Sequence, residues 1–166
     1  MACLLFGGGW LFIHARRQRA AHLPKGRIVS ADVIGLGMPS KPLFSPKFRL
    51  VGRPDYVLAT HSGLIPVEVK SSKTPSQPYP SHVLQLAAYC LLVEETEGRP
   101  PPYGFIKYPD RIFQVPYTPD VRFTLLETLD AMRANLMSHT EVHRDHNEAQ
   151  RCRACGYRAS CGEALV

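Results

Sequence analysis

The sequence has no internal repeat and no low-complexity segment, which excludes a solenoid or a largely disordered chain. Its apolar N-terminal run is too short for a full membrane span. Ala2 to Ile13 would make roughly 18 Å of helix at about 1.5 Å per residue, against a hydrocarbon core of about 30 Å. The pattern of a secretory leader is also missing, because Arg16, Arg17 and Arg19 follow the apolar run and no A-x-A-like site closes it. Two readings stay open for residues 1–22. One is the truncated end of a membrane anchor, whose basic flank holds the rest of the chain at the inner, cytoplasmic face. The other is a first helix packed on the domain and interrupted by Gly7-Gly8-Gly9. Cysteine is scarce: there are five, three of them within ten residues of the C-terminal tail, which is no disulfide framework and agrees with a reducing cytoplasm. Acidic residues are outnumbered 14 to 20 by Lys and Arg, a net charge of +6 that favours a polyanionic partner such as nucleic acid or membrane headgroups.

What is present fits one domain, residues 23–166, with a 45% hydrophobic fraction sufficient for a core. The stretch Gly52 to Lys70 organises it. A first apolar run begins near Phe48 and continues through Tyr56, Val57 and Leu58; His61-Ser62-Gly63 breaks it, and Leu64 to Lys70 starts a second run. Alternation places Ile65, Val67 and Val69 on one face and Pro66, Glu68 and Lys70 on the other. If the turn returns the second strand beside the first, Asp55 meets Glu68. Two carboxylates and an ammonium then share a cleft. Hard oxygen ligands of that kind suit Mg²⁺ or Mn²⁺, and a neighbouring lysine can orient or deprotonate a water that attacks a phosphodiester.

Upstream, Arg27 to Val33 reads as a short strand, and Phe48-Arg49-Leu50-Val51 as the start of the central hairpin. Downstream, the polar, proline-rich stretch Ser71 to Pro80, which contains Lys73, is a loop beside the proposed metal site. A helix is expected from Ser81, as N-cap, to about Glu95, with Gly98 at its C′ position. Gln85 and Tyr89 stand four apart on one face of it. Tyr103–Tyr108 and Arg111–Tyr117, separated by Pro109-Asp110, predict a second hairpin. Thr118 or Asp120 then caps a helix from Val121 to about His139, with Val121, Leu125, Leu129, Met132 and Leu136 as its apolar stripe. Last comes C-x2-C-x5-C: Cys152, Cys155 and Cys161, a spacing that points to thiolate ligation of a metal or cluster.

Three of these motifs together resemble a known family. Pro54-Asp55 followed by Glu68-Val69-Lys70 resembles the signature of the PD-(D/E)XK nucleases. Gln85 to Tyr89 is similar to the Q-x-x-x-Y motif of their RecB-like branch. The cysteine tail resembles the C-terminal half of the iron–sulfur site in that branch, which includes the CRISPR-associated Cas four exonucleases and the AddB type. The resemblance runs from about Leu43 to the C-terminus. It implies an α/β fold, a restriction-endonuclease-like mixed central sheet flanked by helices, in the order strand, strand, helix, strand, strand, helix.

It also implies a Mg- or Mn-dependent deoxyribonuclease, an exonuclease on single strands or strand ends, serving CRISPR adaptation or DNA repair beside CRISPR adaptation proteins. Asp55, Glu68 and the Val69 carbonyl would hold the metal and Lys70 would act on the water. Gln85, Tyr89 and Lys73 would hold the DNA. Cys152, Cys155 and Cys161 would bind a [4Fe–4S] cluster that ties down the tail. Its fourth ligand stays open. Cys3 lies inside the apolar run, Cys90 reads as a small buried residue, and a Cys₃His zinc site with His143 or His146 is the other solution. The family's additional histidine metal ligand would be His14 or His22, each otherwise a surface histidine. The rival from another class is a non-catalytic nucleic-acid-binding module whose three cysteines hold zinc or a cluster while Glu68 binds nothing.

Overall fold

The computed structural model describes residues 25–31, 41–138 and 141–165. The apolar run 2–13, Cys3, His14 and His22 lie outside the described residues. Strands β1 (Arg27–Ala31), β2 (Leu43–Ser45), β3 (Leu50–Gly52), β4 (Tyr56–Thr60) and β5 (Gly63–Val69) precede helix α1 (Pro80–Glu97). Strands β6 (Tyr103–Lys107) and β7 (Ile112–Pro116) follow, then helices α2 (Pro119–Ser138) and α3 (Ala149–Arg153). Two compact units divide at Glu127/Thr128, within α2. Among the described residues no helix is long and apolar enough to cross a membrane.

Five strands form one mixed sheet in the order β1-β4-β5-β6-β7. All neighbours are antiparallel except β5 and β6, whose parallel pairing needs a crossover, and α1 supplies it. Alternation along β5 divides the sheet's faces as expected. Ile65 and Val67 join Tyr56, Leu58 and Phe105 in a buried apolar cluster, with Ile28, Val69, Tyr103 and Ile112 around it. Glu68 points to the opposite face, where α1 lies.

That face brings helix and sheet into close contact because glycine lines it. A Cβ on Gly104 of β6 would stand 2.8 Å from Leu86 Cδ1 of α1. Outside that sheet, Gly52 of β3 is equally tight against Leu92, at 2.8 Å. Seven α1 residues, Leu86, Ala87, Tyr89, Cys90, Leu91, Leu92 and Val93, are buried. Burial pushes the Cys90 thiol up to about 12, so this cysteine is an inert apolar filler, as its place beside Tyr89 suggested.

Two boundaries differ from the sequence expectation. Phe48 and Arg49 lie in a turn, and Leu50–Gly52 pairs with Leu43–Ser45 in a separate two-stranded sheet, so they do not open the central hairpin. Pro54 marks the break: it is fully buried and has no N–H to continue a ladder. Tyr79, not Ser81, is the N-cap of α1, in extended conformation with Pro80 in the first turn, a position that wants proline's fixed φ and loses no needed N–H. Gly98 ends the helix at φ +70, in the left-handed conformation expected of it. In α2 the Thr118 hydroxyl accepts the Val121 N–H at 3.3 Å, which supports the expected cap. The apolar stripe, however, is buried at Leu125 and exposed at Met132 (57%) and Leu136 (79%), beyond the point where α2 leaves the first unit.

Candidate active site

The β4–β5 register pairs Tyr56 with Val67, which sets Asp55, one residue before β4, opposite Glu68. Because Pro54 interrupts the strand there, Asp55 is free to turn its carboxylate along the sheet edge, and its Oδ2 accepts the Val69 N–H at 2.7 Å. Lys70 lies one residue beyond β5, and its backbone is fixed by a 2.8 Å bond from its N–H to the Lys107 carbonyl. Above them, α1 presents Gln85 and Tyr89 on one face.

The side chains close into a single network. Lys70 Nζ donates to Glu68 Oε1 at 2.9 Å and to Gln85 Oε1 at 2.6 Å. Gln85 Nε2 donates to the same Glu68 oxygen at 2.9 Å and to Tyr89 Oη at 3.0 Å. The amide thus spends its oxygen on the ammonium and its nitrogen on two oxygens, so its orientation follows from its partners. Glu68 is only 7% exposed. Its pKa is raised first by burial and further by the Asp55 charge, against the lowering pull of Lys70. Burial raises the Tyr89 pKa as well, keeping its hydroxyl protonated.

A buried carboxylate facing a second carboxylate, with a lysine held beside both, is an arrangement that costs folding energy and therefore calls for a function. The comparisons with known proteins supply the family. A model of the PD-(D/E)XK nuclease superfamily matches residues 10–162. The chain belongs to this superfamily. It is also 28% identical over 119 residues to the CRISPR-associated exonuclease Cas4 of Francisella tularensis subsp. novicida (strain U112). That alignment covers 72% of the chain and 59% of the relative, so the chain spans about three-fifths of the curated relative's length. Among solved structures, the crystal structure of SSO0001 matches with a TM-score of 0.47 and 22% identity, over 70% of this chain and 52% of that one. A likeness so slight carries no weight.

Nucleases of the PD-(D/E)XK superfamily as a rule use divalent metals, and the donor set here fits one. Asp55 commits Oδ2 to the Val69 N–H, and Glu68 commits Oε1 to Lys70 and Gln85. Asp55 Oδ1 and Glu68 Oε2 take no part in these bonds. Two facing carboxylates, one of them a buried Glu68 whose pKa the Asp55 charge helps to raise, are what a small divalent cation neutralises. As the side chains stand, no group of three or more His, Cys, Asp or Glu residues among those described is arranged to hold a metal ion, so a cation here needs the backbone carbonyl or water to complete its shell.

Lys73 is exposed and lies outside the network. Its loop is tied elsewhere, by Thr74 to Asp110 at 3.4 Å and by Arg111 to the Ser76 carbonyl at 3.3 Å. One residue escaped the sequence reading: His82. It stands three before Gln85 and seven before Tyr89, so the helical spacing that singled out those two could have found it. Its pKa is lowered by burial and by the charge of Lys70.

In the second unit the three cysteines line one cavity with Val142, His143, Arg144, Asp145, His146, Arg158 and Ala164. The backbone explains it. Cys155 N–H bonds to the Cys152 carbonyl, Arg158 to Cys155, Cys161 to Arg158 and Ala164 to Cys161, so the chain runs here in successive three-residue turns. All three thiols are unpaired. Glu163 accepts the Arg144 N–H at 2.7 Å and meets His143 Nδ1 at 3.0 Å, tying the C-terminal tail to two residues of the cavity lining. The two histidines are therefore not equivalent. His146 spends Nδ1 as acceptor of the Glu148 N–H, which leaves Nε2 protonated. His143 directs Nδ1 at the Glu163 carboxylate, the outer contact usual for a metal-ligating histidine.

Proposed function

We propose that this chain is a divalent-metal-dependent DNA nuclease acting on single strands or strand ends. The observation that carries the reading is the sharing of Glu68 Oε1 between Lys70 and Gln85, with Asp55 opposite. A surface hairpin has no reason to bury such a set. Asp55, Glu68 and the Val69 carbonyl would hold Mg²⁺ or Mn²⁺. A cation there supplies positive charge to the phosphate and acidifies water.

The chain's own residues do the rest. Glu68 and Gln85 hold Lys70 Nζ at a fixed point, so that the ammonium can position a water in line with the phosphorus, and the amine, once it has lost a proton, can take the water's proton. Gln85 fixes the orientation of Glu68 and, through Tyr89, of the helix face over which a DNA strand would pass. Tyr89, protonated, accepts from Gln85 Nε2, so it can offer its hydroxyl hydrogen to a phosphate oxygen without breaking that bond. Lys73 sits outside the network, where it can meet the backbone without touching the reacting atoms.

Cys152, Cys155 and Cys161 would bind an iron–sulfur cluster with a structural task. The donor set of three unpaired thiols around one cavity fits a thiophilic group, and none of the residues around Lys70 is redox-active. His143 suits the fourth position through its Nε2, and a Cys₃His zinc site would use the same ligands. By analogy with the Cas4 relative, the cellular setting would be CRISPR adaptation or DNA repair.

Incubating purified protein with end-labelled single-stranded DNA tests the reading. Cleavage is expected with Mn²⁺ and not with EDTA. Binding with no cleavage in any divalent metal would mean that the chain is a nucleic-acid-binding module instead.

A further inference from the structure

Tyr79 is 48% exposed, yet its backbone is fully engaged. Its N–H is directed at the Tyr108 hydroxyl, and its carbonyl accepts the His82 N–H at 2.9 Å and the Val83 N–H at 3.0 Å. Pro78 and Pro80 flank it, which restricts the chain on both sides. The ring meets His82 edge to face, with centroids 5.3 Å apart and an interplanar angle of 84°. A flat aromatic ring held in this way loses little freedom when a ligand covers it.

His82 is pinned from the other side. Its Nδ1 lies 2.6 Å from the Tyr108 hydroxyl. With the Tyr108 hydroxyl donating to Nδ1, the imidazole proton sits on Nε2. Tyr108 is 1% exposed and stands edge-on to Phe113 at 5.7 Å, so the pin cannot swing. The lowered His82 pKa keeps the ring neutral, with one N–H to offer. That N–H belongs to the same α1 face as Gln85 and Tyr89, and the ring is near enough to Lys70 to feel its charge.

We propose that Tyr79 and His82 form a nucleotide subsite beside the bond to be cut, in which the Tyr79 ring stacks an unpaired base and the His82 Nε2–H donates to the adjoining phosphate. A base inside a duplex is already stacked on its neighbours and cannot lie on Tyr79. The subsite therefore selects single strands and frayed ends, which deepens the nuclease reading and rests on it.

Binding of a fluorescent oligothymidylate and of a blunt duplex of equal length, both in EDTA so that nothing is cut, tests the subsite. Tyr79→Ala should weaken single-strand binding roughly 5- to 150-fold, the loss of one base–aromatic stack, and leave duplex binding unchanged. Tyr79→Phe, which keeps the ring, should bind like the wild type. In a series of oligonucleotides with one abasic position each, one position should show losses that do not add to that of Tyr79→Ala, which identifies the stacked base. A neutral methylphosphonate next to that base should likewise fail to add to His82→Ala. Equal single-strand affinity of Tyr79→Ala and wild type, or an equal loss on duplex, overturns the subsite while leaving the nuclease reading intact. Wild-type protein that binds neither DNA overturns both.

Discussion

Replacing Glu68 by Gln should make the metal-free protein more stable and the enzyme inactive. The shape is kept and one buried charge removed. In the folded chain burial raises the Glu68 pKa, Asp55 adds to the shift and Lys70 offsets part of it. The native state therefore binds the proton more tightly than the unfolded chain. Stability falls as pH rises from the ordinary value of 4.5 through the raised folded value, and the cost is fully present above it. Relief of a partly compensated buried charge is worth about 1 kcal/mol, or roughly 2–4 °C in Tm for a chain of this size. Divalent metal should reverse the order. At about a hundred times its Kd it would stabilise the wild type by about 2.7 kcal/mol, roughly 5–11 °C, and would do far less for a variant that has lost a ligand. Thermal melting by circular dichroism at pH 7, in EDTA and in Mn²⁺, measures both effects, and the EDTA gap should close near pH 4.5. A variant that melts no higher than wild type in EDTA, or that gains as much from Mn²⁺, would refute the reasoning.

Four further outcomes are expected. Lys70→Ala should lower single-turnover cleavage by roughly 10²- to 10⁴-fold with little loss of DNA affinity, whereas Lys73→Ala should weaken binding and reduce its salt slope by about one; equal effects on rate would make Lys70 an ordinary surface cation. Gln85→Ala should cost activity through its hold on both Lys70 and Glu68, so that combining it with Lys70→Ala adds little; additive losses would show that the two act separately. Gly104→Ala should destabilise by about 1–3 kcal/mol in a chemical denaturation, because the new methyl meets Leu86 and must push α1 off the sheet; an unchanged midpoint would contradict the contact. Anaerobically prepared protein should show a broad thiolate-to-iron absorption that Cys152→Ser and Cys161→Ser lose, and stoichiometric zinc without iron would favour the zinc site.

The sequence made the sheet face legible because alternation is a backbone property: once Gly63 to Val69 is a strand, Glu68 must point away from Val67. Gln85 and Tyr89 were legible for the same reason, through the helical repeat. The second hairpin and the left-handed Gly98 followed from turn chemistry. What escaped depended on packing partners that no local pattern encodes. Leu50-Val51-Gly52 has the composition of the central hairpin, yet it pairs with Leu43–Ser45 because Pro54 breaks the ladder and Gly52 lets β3 come close to Leu92. Ser81 is a good cap by residue type, but Pro80 already fits the first helical turn. His82 shares the helix face of Gln85 and Tyr89, which spacing could have shown, but its contact with Tyr108, twenty-six residues away, could be seen only in the fold. That the three cysteines lie near one another followed from their spacing, whereas the difference between His143 and His146 rests on Glu163 and Glu148 and could be seen only in the fold.

The central claim is that Asp55 and Glu68 share one cation and that phosphodiester cleavage depends on it. Single-turnover cleavage of end-labelled single-stranded DNA in Mn²⁺ by Asp55→Ala and Glu68→Ala, with folding verified by circular dichroism, tests this most directly. Both variants should remain folded and each should lose cleavage almost entirely, the double variant no more than either single one. Undiminished cleavage by both folded variants would contradict the account.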